Sequence, residues 1–241
     1  MSTELDSMLF WYPKIKDLPI RQPKTEILIL TKAELKRLYS ENVPFDMVEK
    51  VELRCDKLGY PCFIRTDLAS GKHQWKDSCY VEDKDDLQKH IFEVVCFNLM
   101  ADIMGLPFEA LVVREFIPMD TTFTAFWGEM PVNPERRYFI NDHKVICHHP
   151  YWVPEAVEQC RCPPSVENWR ERIEKMNTET KDEIEILTNY ALIIAGRFEG
   201  YWSVDFCKAK DGQWILIDMA TGEKSWHPES CHLIPISKSK G

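Results

Sequence analysis

The most informative stretch of the chain runs from residue 203 to residue 218 and reads SVDFCKAKDGQWILID. Two largely apolar segments flank Asp211-Gly212, a pair that is typical of a tight β-hairpin turn. Asp205 lies in the first predicted strand and Asp218 ends the second, so we expect the two carboxylates to lie close together. Adjacent carboxylates at the edge of a core repel each other and are costly to desolvate. A bound Mg2+ would resolve both problems, whereas the alternative is that each Asp faces water at a strand end.

An earlier predicted hairpin carries the opposite charge. Residues 61–67, PCFIRTD, form a strand that contains Arg65, and Cys79-Tyr80-Val81 forms the return strand. The loop between them includes Ser70-Gly71-Lys72. Backbone amides at a glycine turn can surround phosphate oxygens, and Lys and Arg add positive charge. This pattern indicates a phosphate-binding loop, with a plain solvated hairpin as the alternative.

The remaining sequence alternates between strand and helix patterns, which predicts an α+β fold with a largely antiparallel sheet. Residues 9–13 are predicted to form an aromatic strand or turn. Further strands are expected at 26–30, 111–117, 121–126, 136–140 and 144–147. Helices are expected after Thr31, at 44–58, at 84–104 with an end at Gly105, at 166–176 and at 182–198.

The composition argues against several classes of protein. The chain has 241 residues and a formal net charge of -9, whereas binding to a nucleic-acid backbone needs clustered Lys and Arg. The apolar runs are far shorter than the ~20 residues that span a bilayer. The N-terminus has no basic segment followed by an apolar stretch. We therefore expect a cytoplasmic protein with neither a nucleic-acid nor a membrane partner.

Nine cysteines are a high and odd number for a chain of this length. Without an export signal, they are expected to be reduced thiols rather than a disulfide framework. One cluster, Cys147-His148-His149 with Cys160 and Cys162, has the residue types that bind zinc, although its spacing differs from that of the usual paired knuckles. A zinc site and a set of ordinary thiols with surface histidines both stay open.

Taken in order, the basic strand with its loop and the later acidic hairpin resemble the ATP-grasp superfamily. Between them, residues 112–118, VVREFIP, are similar to the hinge strand of that superfamily. The resemblance implies two lobes with a nucleotide cleft between them. It divides the chain into a small N-terminal region, residues 1–58, and an ATP-grasp-like region, residues 59–241, whose lobes separate near residues 110–118.

The resemblance also implies roles for individual residues. The expected cofactors are ATP and Mg2+. Contacts with ATP are expected from Arg65, Ser70, Gly71, Lys72, Arg114, Glu115, Phe116, Ile117 and Asp120, the last of these at the ribose. The cations expected at the transferred phosphoryl group are Lys72 and either Arg136 or Arg137. The expected metal ligands are Asp205, Asp218 and, as a substitute ligand, Glu223.

Departures from the family pattern indicate a divergent branch. The family usually has a Glu followed two residues later by an Asn, where this chain has Asp218 and Ala220, so the number of metals stays open. The pattern is nearer to cell-division-cycle 123-like proteins and small phage or bacterial ATP-grasp proteins. The implied activity is ATP-dependent ligation of a carboxylate and an amine, with an unidentified acceptor as partner. The alternative is a protein-complex assembly factor that binds ATP with little turnover.

Overall fold

A computed structural model describes residues 4–40, 42–101, 107–160, 162, 164–228 and 231–233. The helices are α1 (Met8–Ile15), α2 (Lys32–Ser40), α3 (Phe45–Leu58), α4 (Leu87–Ala101), α5 (Pro154–Glu158), α6 (Trp169–Asn177) and α7 (Lys181–Ala195). The strands are β1 (Thr25–Ile29), β2 (Cys62–Thr66), β3 (Tyr80–Val81), β4 (Ala110–Glu115), β5 (Phe123–Ala125), β6 (Met130–Val132), β7 (Glu135–Asn141), β8 (Lys144–Pro150), β9 (Tyr201–Lys208), β10 (Trp214–Thr221) and β11 (His232–Leu233). The predicted end of the fourth helix at Gly105 lies outside the described residues.

The first sheet has four antiparallel strands in the order β1-β4-β2-β3. Side chains alternate across a strand, so Ile64 and Val113 join a core with apolar residues of α3 and α4. Phe63 and Arg65 have the opposite parity on β2 and line a cleft on the other face. β1 comes from residues 1–58, so part of the predicted N-terminal region completes this sheet, and the proposed domain division stays a prediction.

The second sheet has five antiparallel strands in the order β10-β9-β7-β8-β11. One face packs against α1 and α7 in a core that includes Trp11, Leu187 and Phe206. The predicted strand or turn at residues 9–13 is wrong, because these residues belong to α1. The Oγ of Ser7 caps this helix by accepting a hydrogen bond from the Leu9 amide, and its buried positions follow helical spacing.

A connecting segment, residues 116–122, leads from β4 towards the second sheet and is held against the β9–β10 hairpin. Met119 forms an isolated bridge with Ala209, and the Lys210 amide donates to the Pro118 carbonyl over 2.9 Å. The short β5–β6 hairpin follows and packs with α6 in a separate core. The connecting segment is thereby placed along one wall of the cleft.

The α+β class with largely antiparallel sheets is confirmed. The Asp211-Gly212 turn is also present, with Gly212 at a φ of 84°, a conformation that favours glycine. β6 and α5 were not expected, since each spans only a few residues and leaves little periodicity to detect. Within the described ranges, no helix combines the length and apolar character needed to cross a membrane.

Candidate nucleotide-binding site

A cleft of about 1110 Å³, open solvent at its mouth included, lies between the two larger sheets. β2 and β4 contribute Arg65 and Arg114 to its lining, and the loop after β2 contributes Lys72. The second sheet contributes acidic and basic side chains together. They are Glu135, Arg137, Asp205 and Asp218. The cleft therefore brings together most of the charged residues that the sequence singled out.

Four residues form a row across four neighbouring strands, which we call the polar row: His149, Arg137, Asp205 and Asp218. Arg137 is the register partner of both His149 and Asp205, and Asp205 is the partner of Asp218. Directly opposed residues share one face of a sheet, so this row forms part of the second sheet's cleft side. The expected proximity of Asp205 and Asp218 agrees with this register.

A β-bulge at Ile217 creates the pairing of the two aspartates. Leu216 pairs with Phe206, and the next pair is Asp218 with Asp205, so Ile217 has no partner in the ladder. In a regular hairpin, Asp218 would instead oppose Val204, which lies in the buried core behind the sheet. The bulge thus turns Asp218 to the same face as Asp205, because side chains alternate with a period of two.

Each aspartate is paired with an arginine. Arg137 donates from Nε and Nη2 to the two oxygens of Asp205 over 2.8 and 2.7 Å. Arg65, which is buried, donates from Nη1 to Oδ1 of Asp218 over 3.1 Å. Although burial alone would lower it, the charge and hydrogen bonds of Asp205 raise the pKa of Arg137. These pairs neutralise charges that would otherwise be costly to hold in a partly desolvated cleft.

Arg136 and Arg137 have different environments, which resolves the choice that the sequence left open. Arg136 is 1% exposed and does not line the cleft. Its Nε lies 2.7 Å from a Glu183 oxygen and 3.4 Å from a Glu179 oxygen, while its Nη2 donates to the Met176 carbonyl over 3.0 Å. Arg136 therefore ties α6 and α7 to the back of the sheet, and only Arg137 is placed to meet a ligand.

Lys72 and Glu135 lie together in the cleft, and Glu135 was not recognised from the sequence. The Nζ of Lys72 donates to the Tyr151 hydroxyl over 3.2 Å and lies 3.8 Å from Oε1 of Glu135. Within the described part of the chain, this buried Oε1 accepts no hydrogen bond. Burial raises the pKa of Glu135 to about 7, against the opposing effect of Lys72. A single Glu before two arginines carries no sequence signal that marks it as buried.

The raised pKa of Glu135 predicts a specific pH dependence of stability. Its ordinary value is 4.5, so between pH 4.5 and about 7 the unfolded chain loses this proton before the folded one. The contribution to stability is present below this window and is lost as the pH rises through it. Relative to Glu135→Gln, we expect the parent's free energy of unfolding to fall by roughly 3 kcal/mol across the window. Urea unfolding at several pH values measures this difference, and parallel profiles would contradict it.

The connecting segment places Glu115, Phe116 and Ile117 along the cleft, as the sequence suggested. Asp120, the expected ribose contact, is exposed and does not line the cleft, although its neighbours Met119 and Thr121 do.

Arg114 also lines the cleft and donates from Nη1 to the Ile217 carbonyl over 2.5 Å. Burial, reinforced by the neighbouring charge of Arg65, lowers the pKa of Arg114 to about 10. Arg114 therefore joins the first sheet to the bulge as well as facing the cleft.

An aromatic group covers the wall near the connecting segment. Phe63, Trp75 and Phe116 line the cleft, and Tyr80 packs among them with ring centroids 5.1 Å from Phe116 and 5.7 Å from Trp75. Aromatic surfaces of this kind suit the flat face of a nucleobase. Sequence reasoning assigned Trp75 to packing, because an isolated Trp gives no indication of which side of a loop it occupies.

The other expected contacts are divided by the structure. Ser70 lines the cleft, whereas Gly71 lies just behind it at a φ of 61°, which favours glycine. A side chain at Gly71 would crowd Phe97. Glu223 is exposed in a short 3-10 helix and does not line the cleft, so the structure does not bring this expected metal ligand to Asp205 and Asp218.

The expected cysteine–histidine cluster is also divided. Cys160 and Cys162 line a small surface depression beside Trp169. Cys147 instead lies beside His227 and Cys231, two residues that sequence reasoning did not include. The reason is that β8 and the segment after β10 meet only in the folded chain.

A charged cleft between two antiparallel sheets, with a basic loop on one side and paired aspartates on the other, defines an ATP-grasp type of site. The chain belongs to a family of ATP-grasp domains, family 3 of its clade, whose sequence profile matches residues 54–237. No curated protein sequence matches the chain closely enough to count as a relative.

Several solved structures share the fold. Cdc123 from Schizosaccharomyces pombe is 15% identical with a TM-score of 0.58, and the match covers 90% of this chain and 83% of that one. N5-carboxyaminoimidazole synthase from Aspergillus clavatus is 9% identical with a TM-score of 0.51, covering 90% and 44%. D-alanyl-alanine synthetase A from Vibrio cholerae is 12% identical with a TM-score of 0.50, covering 90% and 55%. The chain therefore spans about half the length of the two synthetases.

Proposed function

We propose that the chain binds MgATP in the cleft and uses it to activate a carboxylate for attack by an amine. The observation that carries this proposal is the polar row, which places Arg137 between His149 and Asp205 and brings Asp205 beside Asp218. In the reaction, the terminal phosphoryl group passes from ADP to a carboxylate oxygen. The amine then attacks the carbonyl carbon and expels phosphate, which forms an amide.

The residues present fit Mg2+, which prefers carboxylate oxygens together with phosphate. Asp205 and Asp218 are the residues that would hold it. Glu135 supports this fit, because its buried Oε1 accepts no hydrogen bond among the described residues and leaves negative charge in the cleft. When bound, the metal would neutralise charge on the nucleotide phosphates. The missing Asn at Ala220 and the exposed Glu223 favour a single metal.

The chain's own cations supply the remaining positive charge. Lys72 and Arg137 both line the cleft, and each lies over the ring of Tyr151, at 4.4 and 4.6 Å from its centroid. Their shared neighbour fixes the two positive groups next to each other, where phosphate oxygens would accept hydrogen bonds from both. Fixed cations in a site of low solvent content stabilise charge that develops during transfer.

A second candidate function is ATP binding with little turnover, as in an assembly factor. The observation that favours it is the engagement of the two aspartates. Both oxygens of Asp205 already accept hydrogen bonds from Arg137, and Asp218 pairs with Arg65. A metal has to compete with these guanidinium groups, which would weaken its hold on the nucleotide.

Calorimetric titration with a non-hydrolysable ATP analogue, with and without Mg2+, tests the shared part of both proposals. We expect the parent to bind only when Mg2+ is present. Asp218→Asn should weaken this binding by at least roughly tenfold, because it removes one of the two carboxylates proposed to hold the metal. Asp211→Asn is a matched control in the same hairpin, since Asp211 is exposed in the turn and pairs with Arg21.

Equal affinity in Asp218→Asn and the parent would overturn the metal assignment. A folded parent that binds no analogue would overturn both functions. Phosphate release separates the two candidates. ADP and phosphate that appear only with an added carboxylate and amine support the ligase, whereas tight binding without release supports the low-turnover function.

A further inference from the structure

A group of sulfur and imidazole side chains lies beside the edge of the second sheet. Cys147 belongs to β8, while His227 and Cys231 belong to the segment that follows β10. Their ligand atoms all lie within 4.8 Å of one another, and Sγ of Cys147 is 2.9 Å from Nε2 of His227. The sequence separates these residues widely, so the fold itself assembles the group. None of the three lines the nucleotide cleft.

A fourth nitrogen lies next to this group. His149 is two residues from Cys147 on β8, so both side chains leave the same face of the strand. Its ring centroid is 6.0 Å from that of His227. Its Nδ1 bonds the Pro150 carbonyl over 2.7 Å, whereas its buried Nε2 has no partner in the described ranges. A buried nitrogen without a partner is costly unless it binds something else.

Two thiols and two imidazoles are the ligand types of tetrahedral zinc sites. Calcium and magnesium prefer oxygen ligands, so this group does not suit them. We propose that Cys147, His227 and Cys231 bind Zn2+ and that His149 supplies the fourth ligand. In the sequence the ligands form two pairs, Cys-x-His at 147–149 and His-x-x-x-Cys at 227–231.

The position of the site indicates what the metal would do. β11 pairs with β8 directly after Cys231, so the metal would fasten this C-terminal segment to the edge of the sheet. The same segment reaches the cleft, because the Trp226 carbonyl lies 3.5 Å from Nη1 of Arg137. A zinc ion would therefore stabilise the segment beside a residue of the polar row, independently of nucleotide.

Cobalt titration of the reduced, chelator-treated full chain tests the site. Co2+ bound to thiolates gives a sulfur-to-metal charge-transfer band, and Zn2+ should remove this band by displacement. We expect one equivalent of metal for each chain. His227→Gln and Cys231→Ser should each weaken binding by at least roughly tenfold. His227 is exposed, so its replacement should leave the fold intact, which circular dichroism can verify.

Cys162→Ser is the matched control, because Cys162 resembles Cys231 in exposure but lies in the surface depression. Loss of binding in this variant, or a folded parent that takes up no metal, would overturn the proposal. His149→Gln tests the fourth position, and unchanged affinity and spectrum in this variant would overturn its assignment. A chelator should lower the melting temperature of the zinc-loaded parent but not that of His227→Gln.

Discussion

Replacing Arg136 with Met is expected to destabilise the folded chain by about 3–5 kcal/mol, because removal of one member of a buried ion pair leaves charge behind. Arg136 is 1% exposed, and its Nε lies 2.7 Å from Glu183. Burial already raises the pKa of Glu183, with Arg136 acting in the opposite direction. Two carbonyl oxygens, of Glu135 and Met176, also lose their donor. Urea unfolding monitored by tryptophan fluorescence measures the change.

Arg170→Met is the control for this variant. Arg170 also pairs with a glutamate, Glu158, but the two side chains are 60% and 45% exposed. Exposed pairs of this kind contribute about 0–1 kcal/mol, so a small effect is expected. The folded fraction of Arg136→Met should keep the nucleotide affinity of the parent, because Arg136 does not line the cleft. A stable variant with weakened affinity would show that Arg136, not Arg137, serves the site.

Replacing Gly128 with Ala is expected to disturb both stability and nucleotide binding. A Cβ at this position would overlap the backbone of Gln74 and Trp75, directly after Lys72. The contact is fixed by two hydrogen bonds, from the Gly128 amide to the His73 carbonyl and from the Lys76 amide to the Gly128 carbonyl. Overpacking of this kind costs about 1–3 kcal/mol or more. Because the loop must move, we expect affinity for the ATP analogue to fall roughly tenfold or more.

Gly196→Ala serves as the control for the added methyl group. Gly196 ends α7 with a helical φ of -61°, and its nearest contact would be the Ile193 carbonyl at 3.4 Å. This substitution should be neutral or stabilise the fold slightly. Unfolding midpoints and calorimetric affinities of the two alanine variants can be compared directly. If Gly128→Ala matches the parent in both, the loop carrying Lys72 is not held by the β5–β6 hairpin.

The elements of the fold could largely be predicted because their signals are local. Helical spacing of apolar residues marked α3, α4, α6 and α7, and alternation around Asp211-Gly212 marked β9 and β10. The helix α1 was missed since its aromatic residues and Pro13 suggest an extended segment. Its cap by Ser7 and its burial against the second sheet outweigh those preferences.

The sequence by itself determined the main charged residues of the site, because Asp205, Asp218, Arg65 and Lys72 stand out in strands and a loop of recognisable pattern. The tertiary structure decided which faces they occupy. Strand parity separates Arg136 from Arg137, and the bulge at Ile217 turns Asp218 towards Asp205. A change of face requires a shift of only one residue, and no local preference in the sequence reports it. Burial of Glu135 and the meeting of Cys147 with His227 and Cys231 likewise arise from contacts between distant segments, which exist only once the sheets have packed.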